Sequence, residues 1–497
     1  MTYADYLDKV KACWLGKNIG GTLGTPYEGR RGAVELEYYT HDVSTGMLPN
    51  DDLDLQLVWL NAAERYGTAV DAEILSTYWI TGVTAYWSEY GAGMNNLGIG
   101  ILPPASGSYR NPFKESCGSF IRSEIWACLA PGHPEIAVKY AYEDACIDHN
   151  TEGVWAELFC AALQSAAFVE SNPNTLINIA LSYIPSNCAI ARVIALVRDA
   201  YAEGVDWKEA RKRVLQAEPC TFGLRYGPEE AQIPAGKLGY DAPANIGLMI
   251  LGWLFGENDF SRSICIAAGC GEDADCTAGT LGATLGIING TNGIDKKWTD
   301  PIGDEIKTVA ISRASLMLRI PNTVTNLTQR VARLMPVFLK DHIRVSEEGE
   351  MDITCSGDLT KKMRPTGWME RSDEYWYMYQ TDLVAKQKNS LYDVYVMMDD
   401  LDIEENSEKE IRFCFVNRVT RHLWLNIEAA LPSEWSEDRV QSHACWLNEY
   451  VSGSDITEHC IRIRIGELKK SRYTVPITIT ANGYPTQIHI PLVLIKK

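Results

Sequence analysis

Two acidic clusters in this chain have the composition of a site for hard cations. In Pro49-Asn50-Asp51-Asp52-Leu53-Asp54 the aspartates crowd together just ahead of the apolar Leu55, Leu57, Val58 and Leu60. Asn50 is a good N-cap, and acids in a first helical turn complement the helix dipole, so a plain helix start accounts for part of the pattern. The density goes further, because carboxylates this close repel one another unless a cation sits between them. Gly269-Cys270-Gly271-Glu272-Asp273-Ala274-Asp275-Cys276-Thr277 repeats the arrangement on a glycine turn, ahead of a helix carrying Gly279, Gly282 and Gly286. Glycines at that spacing let helices pack closely, bringing one acidic helix start to another. Together the two predict an oxygen-rich site for a pair of hard divalent cations. The EF-hand pattern, with its closing Glu, is absent.

Weaker signals surround these. Gly20 to Gly29 reads as a glycine-rich loop carrying one carboxylate, Glu28. Gly91 to Gly100 reads as a second loop, able to cradle a phosphate or sugar through backbone N–H groups, though without the Lys and Ser/Thr of a phosphate-binding loop. Cys117 lies on a glycine turn, but no His or Asp pattern supports a thiol nucleophile. The run Trp376-Tyr377-Met378-Tyr379, with Trp368 and Tyr375, is either a strand core or a carbohydrate-stacking platform.

The elements that must hold these residues change character near residue 340. Before it, apolar residues recur at helical spacing, as in Val324, Leu327, Val331, Leu334 and Phe338, with a kink expected at Pro336. After it the period is two: Ile411, Phe413, Phe415; Leu423, Leu425, Ile427; and Ile477, Ile479 leading through Asn482-Gly483 to Ile488, Ile490 and Leu492. The expectation is an all-α domain over 1–340 and an all-β, Ig-like sandwich over 341–497. With 497 residues, 46% hydrophobic and 22% charged, the chain has ample material for two cores, which excludes general disorder. A formal net charge of -19 argues against nucleic acid and anionic membranes as partners. The longest apolar stretch, Ile246 to Phe255, is too short for a bilayer and reads as a buried helix. The 14 cysteines include no Cys-x-x-Cys pair and read as buried thiols of a reducing compartment. With no basic-then-apolar start, a soluble cytoplasmic protein is expected.

The motifs together resemble the ADP-ribosylglycohydrolase family over about residues 7 to 340. Gly16 to Gly29 is similar to the family's first helix and glycine loop, with Glu28 at its functional glutamate. Asn50-Asp51-Asp52-Leu53 stands in the place of Thr-Asp-Asp-Thr, and Gly271-Glu272-Asp273-Ala274-Asp275-Cys276 in the place of Gly-Gly-Asp-Thr-Asp-Thr. Gly118-Ser119-Phe120-Ile121-Arg122, Asp144-Ala145 and His149 look like the middle stretch that contributes to the substrate cleft. The resemblance implies hydrolysis of an N- or O-glycosidic bond of an ADP-ribosyl or related ribosyl or furanosyl substrate, using Mg²⁺ or Mn²⁺ and two ions. It makes Asp51, Asp52, Asp273 and Asp275 metal ligands and Glu28 the catalytic carboxylate. Asn50 and Cys276 fall at ligand positions, and Gly118, Ser119, Arg122 and His149 at substrate-binding ones. Leu53 cannot coordinate, and the sulfur of Cys276 suits Mg²⁺ poorly. The rival readings are a glycosidase for a non-nucleotide sugar and an inactive binding or structural relative.

Overall fold

The computed structural model describes residues 1–218, 239–312, 315, 318–347, 349–360, 383–449 and 456–497. These fall into two compact units, one of residues 1–184 and 189–360, the other of 185–188 and 383–497. Cys220 and the aromatic run from Trp368 to Tyr379 lie outside the described residues.

The first unit is helical, and its central pair is the Tyr3–Gly24 helix against the Ala274–Asn289 helix. Glycine makes that contact possible. A Cβ at Gly20 would meet the Ala278 carbonyl oxygen at 2.0 Å, and one at Gly16 the Gly282 oxygen at 2.0 Å. On the facing helix, a Cβ at Gly286 would meet the Ala12 oxygen at 2.2 Å. The obstacle in each case is backbone, which cannot swing aside as a side chain can. Gly20→Ala is therefore expected to destabilise this unit by about 3 kcal/mol, outweighing the ~1 kcal/mol that alanine gains in a helix interior. Chemical denaturation followed by helical circular dichroism checks this. A variant as stable as the wild type would mean the helices have room to part.

The close pairing sets the two carboxyl-bearing segments side by side, since Glu28 follows the end of one helix and Asp273 N-caps the other. Gly20 to Gly24 belong to the first helix and are not the loop expected there; the chain leaves helical structure only after a 3-10 turn at Thr25–Tyr27. The first acidic cluster opens the Asp51–Tyr66 helix, where Asn50 accepts the backbone N–H of Asp52 at 2.8 Å. The Ala242–Phe255 helix is buried through nearly its whole length, as its unbroken apolar run requires. Val324–Leu339 passes through Pro336 as one helix and buries Val324, Leu327, Val331, Leu334 and Phe338. Among the described residues, no helix is long and apolar enough to cross a membrane.

The helical unit does not stop where the composition changes. Strands β1 (Ile343–Val345) and β2 (Met351–Ile353) form an antiparallel hairpin that belongs to it. The amino terminus donates to the Ile353 carbonyl at 3.0 Å, and Ser356 N–H to that of Gly132 at 3.1 Å.

The second unit contains β3 (Leu383–Lys388), β4 (Tyr392–Met397), β5 (Asp402–Ile403), β6 (Glu408–Asn417), β7 (Leu423–Ala430), β8 (Val440–Leu447), β9 (Ile456–Arg464), β10 (Arg472–Ala481) and β11 (Gln487–Lys496). They form a five-stranded sheet, β5-β11-β10-β7-β8, and a four-stranded sheet, β3-β4-β6-β9. All pairs are antiparallel except β5 with β11. Alternation delivers the core: Leu423, Leu425 and Ile427 are buried, as are Ile477, Ile479, Ile488, Ile490 and Leu492. The Tyr392 hydroxyl donates to the Ile479 carbonyl at 3.3 Å, joining the two sheets. Asn482-Gly483 turns β10 into β11, with Gly483 at φ +83°, where glycine carries no steric penalty. The described cysteines are free thiols, most of them buried.

Candidate active site

A cleft of about 400 Å³ opens in the helical unit where the two acidic helix starts meet. Its lining includes Glu28, Asn50, Asp51, Glu89, Tyr90, Cys117, Gly118, Tyr240, Asp273, Asp275 and Cys276. Oxygen or sulfur atoms of Glu28, Asp273 and Asp275 lie within 4.8 Å of one another, and so do those of Asp52, Asp275 and Cys276. Asp275 is common to both groups. Its Oδ2 accepts from Asn50 Nδ2 at 3.2 Å, while Oδ1 is buried with no hydrogen-bond partner among the described residues.

The carboxylates raise one another's proton affinity. Burial, and then Asp52, push Asp51 up to about 8. Burial, and then Glu28, push Asp273 up to about 7. Asp275 is raised well above its ordinary range by burial and then by Asp273. Glu28, at the rim, is raised chiefly by desolvation, which a hydrogen bond from Tyr240 partly offsets. Crowded, partly buried oxygens of this kind need protons or cations, and hard oxygen donors suit Mg²⁺ or Mn²⁺. An orphaned buried oxygen on the shared aspartate fits the same requirement.

The other acid of the first cluster faces away. Asp54 Oδ2 accepts the backbone N–H groups of Val309 and Ala310, both at 2.6 Å, and holds the Val309 segment against the cleft. Asp52 is buried beneath the lining and forms an ion pair with Lys17 Nζ at 3.0 Å.

Of the residues expected to bind substrate, Gly118 lines the cleft, whereas Ser119, Arg122 and His149 are fully buried behind it. Ser119 Oγ donates to the Gly153 carbonyl at 2.6 Å. The Arg122 guanidinium binds Asp144 at 2.7 Å, Asp148 at 2.6 Å and the Gly118 carbonyl at 2.8 Å. His149 Nδ1 lies 2.8 Å from Asp148 Oδ1, and its Nε2 lies 3.0 Å from Ser116 Oγ. Burial lowers the proton affinity of His149 despite Asp148, so the neutral ring donates its Nδ1–H to the Asp148 carboxylate and accepts at Nε2 from Ser116.

Beside Ser116 stands Glu89, which no sequence signal singled out. Glu89 is the second residue of the Ser88–Gly98 helix, and its carboxyl reaches the cleft beside Gly118. A Cβ at Gly118 would meet Glu89 Oε1 at 2.2 Å, so the glycine clears the space this side chain occupies. Burial, and then Asp148, push Glu89 up to about 8, and its Oε2 has no hydrogen-bond partner among the described residues. The same helix overturns the loop reading of Gly91 to Gly100. Gly91 and Gly93 are helical, and the glycine at 93 lets the helix pack against Asp148, whose Cβ an added Cβ would meet at 2.8 Å. Tyr90 and Tyr240 also went unnoticed in the sequence. Tyr90 donates its hydroxyl to Asp51 at 2.9 Å.

The family model described as ADP-ribosylglycohydrolase matches residues 2–329. A solved structure titled "ADP-ribosylglycohydrolase-related protein complex" is similar at 16% identity and a TM-score of 0.44, over 67% of this chain and 98% of that one. No curated protein matches.

Proposed function

The chain belongs to the ADP-ribosylglycohydrolase family, and from that premise we propose that it is a metal-dependent hydrolase of an N- or O-glycosidic bond in an ADP-ribosyl or related ribosyl or furanosyl substrate. The observation that carries this reading is the convergence of Glu28, Asp273 and Asp275, with an orphaned carboxylate oxygen on Asp275. Glu28, Asp273 and Asp275 would hold Mg²⁺ or Mn²⁺, with Asn50 capping the helix that brings Asp51 to the same cleft. A bound divalent ion would supply positive charge to orient sugar hydroxyls and to acidify water.

The chain's own groups do the rest. Cleavage develops positive charge on the anomeric carbon, and the acidic lining stabilises it. With one oxygen toward the ion, Glu28 would keep the other, at the rim and steadied by Tyr240, to take a proton from the attacking water. Glu89, pushed up to about 8, remains protonated at neutral pH, and its carboxyl at the cleft lining would give that proton to the leaving group. Ser116, His149, Asp148 and Arg122 would form a buried chain behind Glu89, fixed to the Gly118 carbonyl and away from substrate.

The lining residues include no Lys, Arg or His among those described. Both an ADP-ribosylated substrate and a small-molecule glycoside stay within this reading. The buried free thiols suit a reducing compartment, so action in the cytoplasm belongs to the same proposal.

Elemental analysis of the purified protein after incubation with Mn²⁺ tests the reading, together with assays on ADP-ribosyl and simple ribosyl glycosides. The wild type is expected to retain metal and to hydrolyse a ribosyl substrate. Asp273→Asn is expected to lose the metal and more than about 100-fold in rate. A wild type that takes up no Mn²⁺ or Mg²⁺ from excess would refute the hydrolase and leave the binding-protein reading.

A further inference from the structure

One of the two donor groups already contains a cation. Lys17 lies on the Tyr3–Gly24 helix, is 2% exposed, and places Nζ 3.0 Å from Asp52 Oδ2, 3.2 Å from Glu124 Oε1 and 3.2 Å from Thr280 Oγ1. An ammonium held between two buried carboxylates stays charged, because either acid left alone would carry the full penalty of its burial. Both oxygens of Asp52 are thereby engaged, since Oδ1 accepts from the Cys276 thiol at 3.5 Å. Asp52, Asp275 and Cys276 therefore differ from Glu28, Asp273 and Asp275 in three respects. The first group has a resident positive charge, a soft sulfur in place of a hard oxygen, and an aspartate beneath the cleft lining; the second has carboxylates alone, all lining the cleft. A divalent ion entering the first group would face Coulomb repulsion from Lys17 across a low-dielectric gap. Asp275 is shared by both groups, and its Oδ1 has no hydrogen-bond partner among the described residues.

We infer that Lys17 takes the place of one metal ion, so that this protein binds a single divalent cation at Glu28, Asp273 and Asp275, in contrast to the pair expected from sequence. The inference rests on the metal-dependent reading above and specifies its stoichiometry.

The test is Mn²⁺ stoichiometry. Full-length protein is stripped with EDTA, loaded with excess Mn²⁺, freed of unbound ion and measured by elemental analysis and by electron paramagnetic resonance. The expected result is one Mn²⁺ per chain without the exchange-coupled spectrum of a metal pair. Asp52→Asn should keep that ion and Asp273→Asn should lose it. Lys17→Met should gain a second equivalent and a coupled spectrum. If Lys17→Met does not fold, the double variant Lys17→Met/Glu124→Gln, which removes one charge of each sign, should show the same gain. Two Mn²⁺ in the wild type, or loss of the ion in Asp52→Asn, would overturn the role of Lys17 and leave the hydrolase standing. A second ion absent from a folded Lys17 variant would also overturn it. No Mn²⁺ in the wild type would overturn the metal-dependent reading itself.

Discussion

Glu272→Ala is expected to destabilise the helical unit by about 3–5 kcal/mol, the cost of removing one partner from a buried ion pair. Glu272 is fully buried, with Oε1 2.7 Å from Arg211 and Oε2 2.5 Å from Arg31. Arg211 also donates to the Cys270 carbonyl at 2.6 Å, so losing the glutamate leaves a buried guanidinium half-satisfied. The backbone at this residue is strained as well, since φ is +60° and a β-carbon is present where the family's motif has glycine. Alanine keeps that strain and loses both ion pairs. Glu272→Gly relieves the strain and is expected to recover about 1 kcal/mol of the loss. The predicted order of stability is therefore wild type, then glycine, then alanine.

The effect should reach the cleft. Glu272 N–H donates to the Arg30 carbonyl at 2.8 Å, and Gly29 N–H to the Glu272 carbonyl at 2.7 Å, fastening the Glu28 segment to the residue before Asp273. Both variants should bind Mn²⁺ more weakly than wild type, read by titration alongside denaturant midpoints. An alanine variant within about 1 kcal/mol of wild type would show that the two arginines find solvent or other partners without it.

What was legible in the sequence is what local physics encodes. Two acidic helix starts stand out because charge density at an N-terminus is visible residue by residue, and the strands stand out because burial on one face forces alternation. The partnership of the two acidic segments was also readable, since the glycines of the Ala274–Asn289 helix announce a close neighbour. Lys17, Glu89 and Tyr240 were not. Lys17 looks like any lysine in a helix until Asp52 and Glu124 fold around it, and Glu89 looks like an ordinary first-turn acid. Arg122 and His149 have the chemistry of ligand-binding groups, but they are buried behind Glu89, and composition cannot distinguish a residue that touches substrate from one that holds its neighbour. The texture change at 340 misses the end of the helical unit for a related reason. The hairpin at 343–353 has the period of a strand, yet its anchor is the amino terminus, far away in sequence.

Glu89→Gln is expected to lower kcat by about 10²–10⁴, the usual contribution of a positioned proton donor. The amide fills the same space beside Gly118, so the fold and metal content should be unchanged while the proton is lost. The pH profile separates this role from a structural one. Glu89 donates only while protonated, and burial with Asp148 nearby holds it up to about 8. The rate should therefore be flat through neutral pH and fall as pH rises through about 8. In Glu89→Gln the residual rate should lose that alkaline limb, because the group that titrates is gone. Substrates whose leaving group departs without a proton should be cleaved at nearly the wild-type rate by the variant, since their bond breaking asks nothing of Glu89. An unchanged alkaline limb in Glu89→Gln would assign the titration to another group. Equal losses on activated and unactivated substrates would make Glu89 a support for the cleft wall, and the leaving-group proton would then have to come from solvent.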